Sequence, residues 1–256
     1  MSEQDHWAIS AQELKASYGK AEILRGISFS VSLGEFWGIV GPNASGKTTL
    51  LRCFAGTLRP LSGKVFLRGK PRDSFRPREF ASVCSLLLDE IVPGPMRVMD
   101  YVLLARHLLK PPFSPITKKD MAVAERAISE VELSDVKDVP LENLSQGQLL
   151  MARMARVIAQ DASVLLLDEP TAHLDPRHGF LIMELLARLA REGRAVLAVL
   201  HDLSLAARYT DHILVLRDGT IAAQGLTGEV LRPDLIKEVF GVGARRRDGG
   251  IELYPF

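Results

Sequence analysis

The residues from Gly41 to Thr49 read GPNASGKTT, and their spacing suits one piece of chemistry, the holding of a polyphosphate. Gly41, Gly46, Lys47 and Thr48 fit the P-loop pattern. In that pattern backbone N–H groups cradle the phosphates, the lysine reaches the β- and γ-phosphates and the next hydroxyl sits on Mg²⁺. A second candidate is Asp168-Glu169-Pro170, directly after the apolar run Val164 to Leu167. An aspartate at the end of a buried strand in a P-loop protein faces the metal held by Thr48. Glu169 beside it is placed to polarise a water for in-line attack on the γ-phosphate. A third is Leu144-Ser145-Gln146-Gly147-Gln148, at the start of a helix. Taken alone, Ser145 is a plain N-cap; standing just before the acidic strand, the stretch is a candidate second anion site.

The elements around these residues are expected to form an α/β core. Phe36 to Val40 reads as the strand before the loop, and Leu50 to Ala55 continues the helix after it. Upstream, Ile23, Ile27, Phe29 and Val31 alternate between glycines and predict short antiparallel strands from Trp7 to Glu35, with Gly63 to Leu67 as one more. Tyr18 lies in this part; on its own, a tyrosine beside a glycine reads as partial core packing. Ser82 to Leu88 predicts a buried strand. After the break at Pro93-Gly94-Pro95, Val98 to Leu109 resumes with helical spacing. Thr117 is expected to cap a helix with Asp120 in its first turn, and Val123, Ala127 and Val131 share one helical face. The interval from about Asp89 to Asn143 therefore reads as a helical insertion, residues 89–143, into a core formed by 1–88 and 144–256. Downstream, a helix from Gln148 to Ala159, the strand Val164 to Leu167, a helix over 176–192 and a strand from Ala195 to Leu200 keep the alternation. Ile213 to Leu216 and Ile221 to Ala223 predict a hairpin, Leu235 to Phe240 a helix, and Arg245-Arg246-Arg247 a solvated turn.

Composition sets outer bounds. A chain of 256 residues with a net charge of +1 carries no global basic field, so no nucleic acid is expected as a partner. Two cysteines, Cys53 and Cys84, exclude a disulfide framework and suit a reducing compartment. The N-terminal residues lack the basic and apolar regions of a signal peptide. The stretch from Phe180 to Leu189 is interrupted by Glu184 and Arg188 and is too short to span a bilayer.

Taken together and in order, GPNASGKTT, LSQGQ, LLLDEPTAHLD and VLHD resemble the Walker A, signature, Walker B with D-loop, and H-loop of ABC transporter nucleotide-binding subunits. The likeness covers nearly the whole chain. It implies a P-loop NTPase core of RecA type, with an antiparallel β-subdomain and an inserted α-helical subdomain. It also implies a head-to-tail dimer with ATP and Mg²⁺ sandwiched between two copies. On that resemblance Tyr18 stacks on adenine, and the residues Gly41, Pro42, Asn43, Ala44, Ser45, Gly46, Lys47, Thr48 and Thr49 bind ATP. Ser145, Gln146, Gly147 and Gln148 reach the γ-phosphate from the opposite copy. Thr48 and Asp168 hold the metal, Glu169 and His201 act on the attacking water, and Asp175 lies at the dimer interface. The tail, from HDLSLAARYTDHILVLRDGTIAAQG onward, is similar to the importer branch for iron–siderophore, haem and cobalamin. The implied role is an ATPase that powers a separate integral-membrane permease, with an extracytoplasmic substrate-binding protein as indirect partner. It would be peripheral, at the cytoplasmic face of the inner membrane, with the permease's coupling helix received by the helical insertion, whose hinge is Asp89 to Arg97.

Three features depart from the family's pattern. Where its members carry a metal-touching glutamine at the end of the strand Ser82 to Leu88, this chain has Leu88, followed by Asp89 and Glu90. A leucine offers no oxygen to Mg²⁺, so Asp89 is expected to substitute by a one-residue shift, or water to fill the place. Gln146 stands where many members have glycine, and Leu149-Leu150-Met151 replaces a polar run; these three are expected to pack against a partner or the insertion. Two other roles fit the same motifs: an ATP-binding regulatory module with weak hydrolysis, and a soluble ABC ATPase of cofactor assembly or repair.

Overall fold

Alternating apolar residues along Trp7–Tyr18 (β1) and Ala21–Ser32 (β2) pair the two strands as an antiparallel hairpin closed at Gly19, φ +60°. The computed structural model describes residues 7–88, 94–247 and 250–255. Each of these strands has 12 residues, longer than the short strands expected. A register irregularity between Ala11 and Leu14, with Glu13 at φ +46°, carries the pairing through the residue that breaks the alternation. Phe36–Val40 (β3), buried at every residue, belongs to a second sheet, and Lys47–Ala55 (α1) leaves its end. The chain then returns as Ser62–Leu67 (β4) and Lys70–Pro71 (β5), completing an outer sheet of order β2-β1-β4-β5.

Ser82 and Val83, expected in a strand, close the helix Pro77–Val83 (α2), and the strand proper is Cys84–Leu87 (β6). The helix wins because proline opens it and Glu79 Oε2 accepts from Arg76 N–H at 3.0 Å, satisfying an N-terminal donor. Val98–His107 (α3) and Lys118–Glu130 (α4) make up the inserted helices, and Gln146–Ala159 (α5) packs against both. The buried face of α4 runs through Ala124, Ala127 and Ile128 and on to Val131; Val123, expected on that face, is only partly buried. Thr117 caps α4 as expected, but Asp120 does more than face the helix dipole. It is buried and accepts from Arg106 and Lys110, tying the two inserted helices together.

Val164–Asp168 (β7), Pro176–Arg191 (α6), Ala195–Val199 (β8), Leu203–Tyr209 (α7), His212–Arg217 (β9) and Thr220–Leu226 (β10) complete the inner sheet, of order β10-β9-β3-β8-β7-β6. All its pairings are parallel except the edge hairpin β9-β10. Alternate residues feed two cores. Leu165, Leu167, Val196 and Ala198 face α3 to α7, while Val164, Leu166, Leu197 and Val199 face α1 and the outer sheet. Parallel strands buried on both faces must be apolar throughout, which is why these runs read as continuous rather than alternating. After Thr227–Val230 (α8) and Pro233–Phe240 (α9), Gly243–Arg247 (β11) pairs with Gly250–Tyr254 (β12). The arginine triplet is thus a strand and not a turn, with Arg245 bonded across it to Glu252 at 2.7 Å.

Candidate functional site

Parallel strands end on the same edge, so the topology alone brings four segments together there. Gly41 follows β3, Leu88 follows β6, Asp168 ends β7, and Leu200-His201 follows β8. The crevice outside these carboxyl ends is where an open α/β sheet takes its ligand. Register fixes the neighbours: Asp168 sits opposite Val199, and Leu87 opposite Leu167.

The loop from Gly41 to Gly46 is shaped by backbone that only glycine accepts at two points. A Cβ on Gly41 (φ +156°) would lie 2.1 Å from the Leu216 carbonyl oxygen, and one on Gly46 (φ +104°) 2.7 Å from Leu24 Cδ2. Gly46 is the N-cap of α1 and supplies no side-chain acceptor, and no acidic residue sits in the first turn. The helix therefore presents its N–H groups and positive end to the loop, a setting built for an anion. Lys47 is buried, and its ammonium donates to the carbonyls of Gly41 and Pro42, each at 2.9 Å. Burial lowers its pKa, an effect the charges of Glu169 and Asp168 only partly offset. Ser45 Oγ is buried and finds no hydrogen-bond partner among the described residues. A buried hydroxyl left so needs an acceptor or donor from outside the chain. These features fit a triphosphate.

Across the edge, Glu169 stands at φ +51° immediately after β7, and its Oε1 lies 2.6 Å from His201 Nε2. A carboxylate only accepts, so the proton of that bond sits on Nε2. Both side chains are about half exposed, at 44% and 49%. Thr48, Asp168 and Glu169 line one cavity of about 470 Å³, together with Leu88, Gln146, Leu149, Leu150, Arg153 and His173. Thr48 and Asp168, both bearing oxygen, the donor type Mg²⁺ takes, thus line the same space. Asp89 lies outside the described residues, as do residues 90–93 of the expected hinge. Its remainder is tied back where Leu141 N–H bonds the Met96 carbonyl at 2.9 Å and Arg97 bridges Pro140.

Other expected residues sit apart from that cavity. Ser145 N-caps α5 in a reciprocal box with Gln148: its Oγ accepts from Gln148 N–H at 3.2 Å, and Gln148 Oε1 accepts from Ser145 N–H at 3.0 Å. Of the four signature residues only Gln146 lines the cavity of its own chain. Asp175 N-caps α6, accepting from His178 N–H at 3.1 Å, and His178 lowers its pKa through hydrogen bonds. Tyr18, at the end of β1, is 45% exposed, so core packing is not its role. Leu149 and Leu150 are partly buried between core and cavity, while Met151 is wholly in the core. Sequence reasoning missed Arg153, one α-helical heptad after Gln146 on the same face; that spacing was the available signal.

Three comparisons bear on this geometry. The family model described as ABC transporter matches residues 24–172. The ferric enterobactin transport ATP-binding protein FepC of Escherichia coli strain K12 is 35% identical over 236 residues, covering 91% of this chain and 87% of that protein. The hemin import ATP-binding protein HmuV of Bradyrhizobium diazoefficiens is 37% identical over 245 residues, covering 92% and 89%. Among solved structures, MJ1267, an ATP-binding cassette of an ABC transporter, superposes with a TM-score of 0.79 at 25% identity, covering 90% of this chain and 98% of that one.

Proposed function

The chain belongs to the ABC transporter family of ATP-binding proteins, and from that premise we propose that it hydrolyses ATP to drive import of a metal chelate through a separate permease. The substrate class, of iron–siderophore, haem or cobalamin type, is supported by relatives named for ferric enterobactin and hemin. The observation that carries the hydrolytic reading is the Glu169–His201 pair, 2.6 Å apart at the ends of adjacent strands and on the same edge as Lys47.

The chain's own groups divide the work. Lys47 exchanges its two carbonyl partners for β- and γ-phosphate oxygens, and the N–H groups from Ala44 to Thr48 hold the remaining charge. Thr48 and Asp168 would hold Mg²⁺, which would supply positive charge against the phosphates. Glu169 orients a water in line with the γ-phosphorus and takes its proton, as the water oxygen bonds to phosphorus and the bond to the ADP oxygen breaks. His201, held by Glu169, orients that water and the γ-phosphate. Tyr18 offers an exposed ring face to adenine.

A second copy in head-to-tail arrangement completes the site with Ser145, Gln146, Gly147 and Gln148, and Asp175 lies at that interface. Gly147 supports this. A Cβ there would meet only ordinary contacts, at 3.6 Å from His173 O and from Leu174 Cδ2, so nothing inside the protomer requires glycine in this helix. Glycine within a helix costs up to ~1 kcal/mol relative to alanine, and close approach of a ligand or partner is what offsets it. No helix among the described residues is long and apolar enough to cross a membrane, which suits a subunit held peripherally at the cytoplasmic face by its permease.

Steady-state ATPase of the purified protein with Mg²⁺, set against Glu169→Gln, tests the hydrolytic role; equal rates would overturn it. Recovery of a multi-span membrane protein with the tagged chain tests the transport role. Leu88 favours one other reading, a module that binds ATP and hydrolyses it weakly, because it places an apolar side chain in the cavity of Thr48 and Asp168. Asp89→Ala bears on this: if Asp89 supplies the missing oxygen, its loss weakens the Mg²⁺ dependence of turnover, and unaltered dependence removes Asp89 from the metal site.

A further inference from the structure

Tyr18 and Arg52 come from different layers, one from the end of the outer-sheet strand β1 and one from α1 of the core. Arg52 Nη1 nevertheless donates to the Tyr18 phenolic oxygen at 3.0 Å. That contact joins the two ends of the expected nucleotide. Lys47 at the start of α1 addresses the phosphates, and Arg52 near its other end reaches the ring assigned to adenine. We propose that Arg52 is a positioning residue for the nucleobase, fixing the Tyr18 ring as a stacking platform before ATP arrives.

Three observations support this. Tyr18 is 45% exposed, among the described residues no aromatic ring packs on it, and the bond from Arg52 restrains its hydroxyl. Its backbone is well placed: it pairs with Ala21 beside the turn at Gly19. Arg52 itself sits on a firm base. Its carbonyl accepts from Thr57 N–H at 3.0 Å and from Leu58 N–H at 3.2 Å where α1 ends in the left-handed cap at Gly56. The helix thus carries the guanidinium that bonds the hydroxyl of the exposed ring. An exposed tyrosine has two side-chain torsions to restrict on binding, and restricting them beforehand lowers the cost of association. The same bond also tethers the outer sheet to α1, so base recognition and phosphate recognition share one element.

The proposal rests on the adenine role of Tyr18, and the experiment separates the two. Binding of ATP and of inorganic tripolyphosphate is measured by calorimetry for the wild type and for Tyr18→Ala, Tyr18→Phe, Arg52→Ala, Arg52→Lys and Tyr18→Phe/Arg52→Ala. Tyr18→Ala should weaken ATP and leave tripolyphosphate unchanged. Arg52→Ala and Tyr18→Phe should each weaken ATP about two- to tenfold, the range of one hydrogen bond, again sparing tripolyphosphate. The double variant should be no weaker than either single one, and Arg52→Lys should recover part of the loss. In turnover, KM for ATP should rise with kcat unchanged. If Tyr18→Ala weakens ATP while Arg52→Ala does not, the adenine role stands and the role of Arg52 falls. If Arg52→Ala weakens tripolyphosphate equally, Arg52 acts on phosphate or on the fold, and the proposal is overturned. If Tyr18→Ala leaves ATP binding intact, the adenine role and this inference fall together.

Discussion

Glu169 and His201 form a pair because two adjacent parallel strands end level with one another, and the chemistry of each side chain depends on that meeting. Replacing Glu169 with glutamine keeps the volume and an acceptor for His201 but removes the proposed base. ATPase should therefore fall by about a hundredfold or more, while ATP affinity stays within about twofold. A binding loss matching the rate loss would show that Glu169 holds the nucleotide and not the water. The two cysteines make a contrasting case, since their surroundings make them inert. Burial pushes the Cys53 thiol up to about 11, and Cys84, fully buried, still higher. Neutral-pH labelling should modify neither thiol in the native protein and both after denaturation; rapid native labelling would mean the core opens at α1 or β6.

At the level of elements, the two glycines Gly41 and Gly147 separate a structural need from the proposed functional one. Gly41→Ala drives a methyl into the Leu216 carbonyl, at 2.1 Å, where β3 gives way to the loop beside β9. The melting temperature and the ATP affinity should both fall, the affinity more than about tenfold. Gly147→Ala meets only ordinary contacts on α5 and should leave the melting temperature unchanged or raised, yet reduce turnover. Full activity in that variant would argue against a role for Gly147 beyond its own chain. The inserted helices supply a further test. Burial pushes the Asp120 carboxyl up, but hydrogen bonds from Lys110, Thr117 and Arg106 outweigh it and hold the group well below the carboxylate range. A depressed folded pKa stabilises above the unfolded value of ~3.9 and loses that stability as pH falls beneath it. Asp120→Asn should cost about 2–4 kcal/mol at neutral pH, measured by urea unfolding, and the gap to the wild type should narrow below pH ~4. A gap constant down to strongly acid pH would mean that the carboxylate's charge is not what joins α3 to α4.

For the molecule as a whole, the proposed dimer makes ATP binding and association one event. With Glu169→Gln blocking turnover, ATP should convert a monomer to a dimer in light scattering, and ADP should not. Adding Ser145→Arg, which crowds the cap of α5, should keep the ATP-bound protein monomeric. A dimer insensitive to both nucleotide and Ser145 would remove the signature residues from the interface.

How much of this was legible beforehand varies with the range of the interactions involved. Residue types spaced a few positions apart state their chemistry locally: GPNASGKTT is a turn and a helix start whatever lies elsewhere, and Thr117 caps α4 by contacts within three residues. The parallel core strands were equally plain, because burial on both faces demands unbroken apolar runs. Boundaries decided by competition were not. Ser82 and Val83 suit a strand or a helix end, and the proline and Glu79 ahead of them settled it. Arg245 to Arg247 read as a turn because their pairing partner, β12, is itself too short to announce a strand. By itself, then, the sequence determined that a triphosphate loop, an acidic strand end and a histidine occur in one chain of α/β type. Only the tertiary structure decided that Glu169 touches His201, that Leu88 shares a cavity with Thr48 and Asp168, and that Arg52 holds Tyr18. Each of these contacts joins residues at least 32 positions apart in the chain, and no periodicity or local propensity encodes which strands lie side by side.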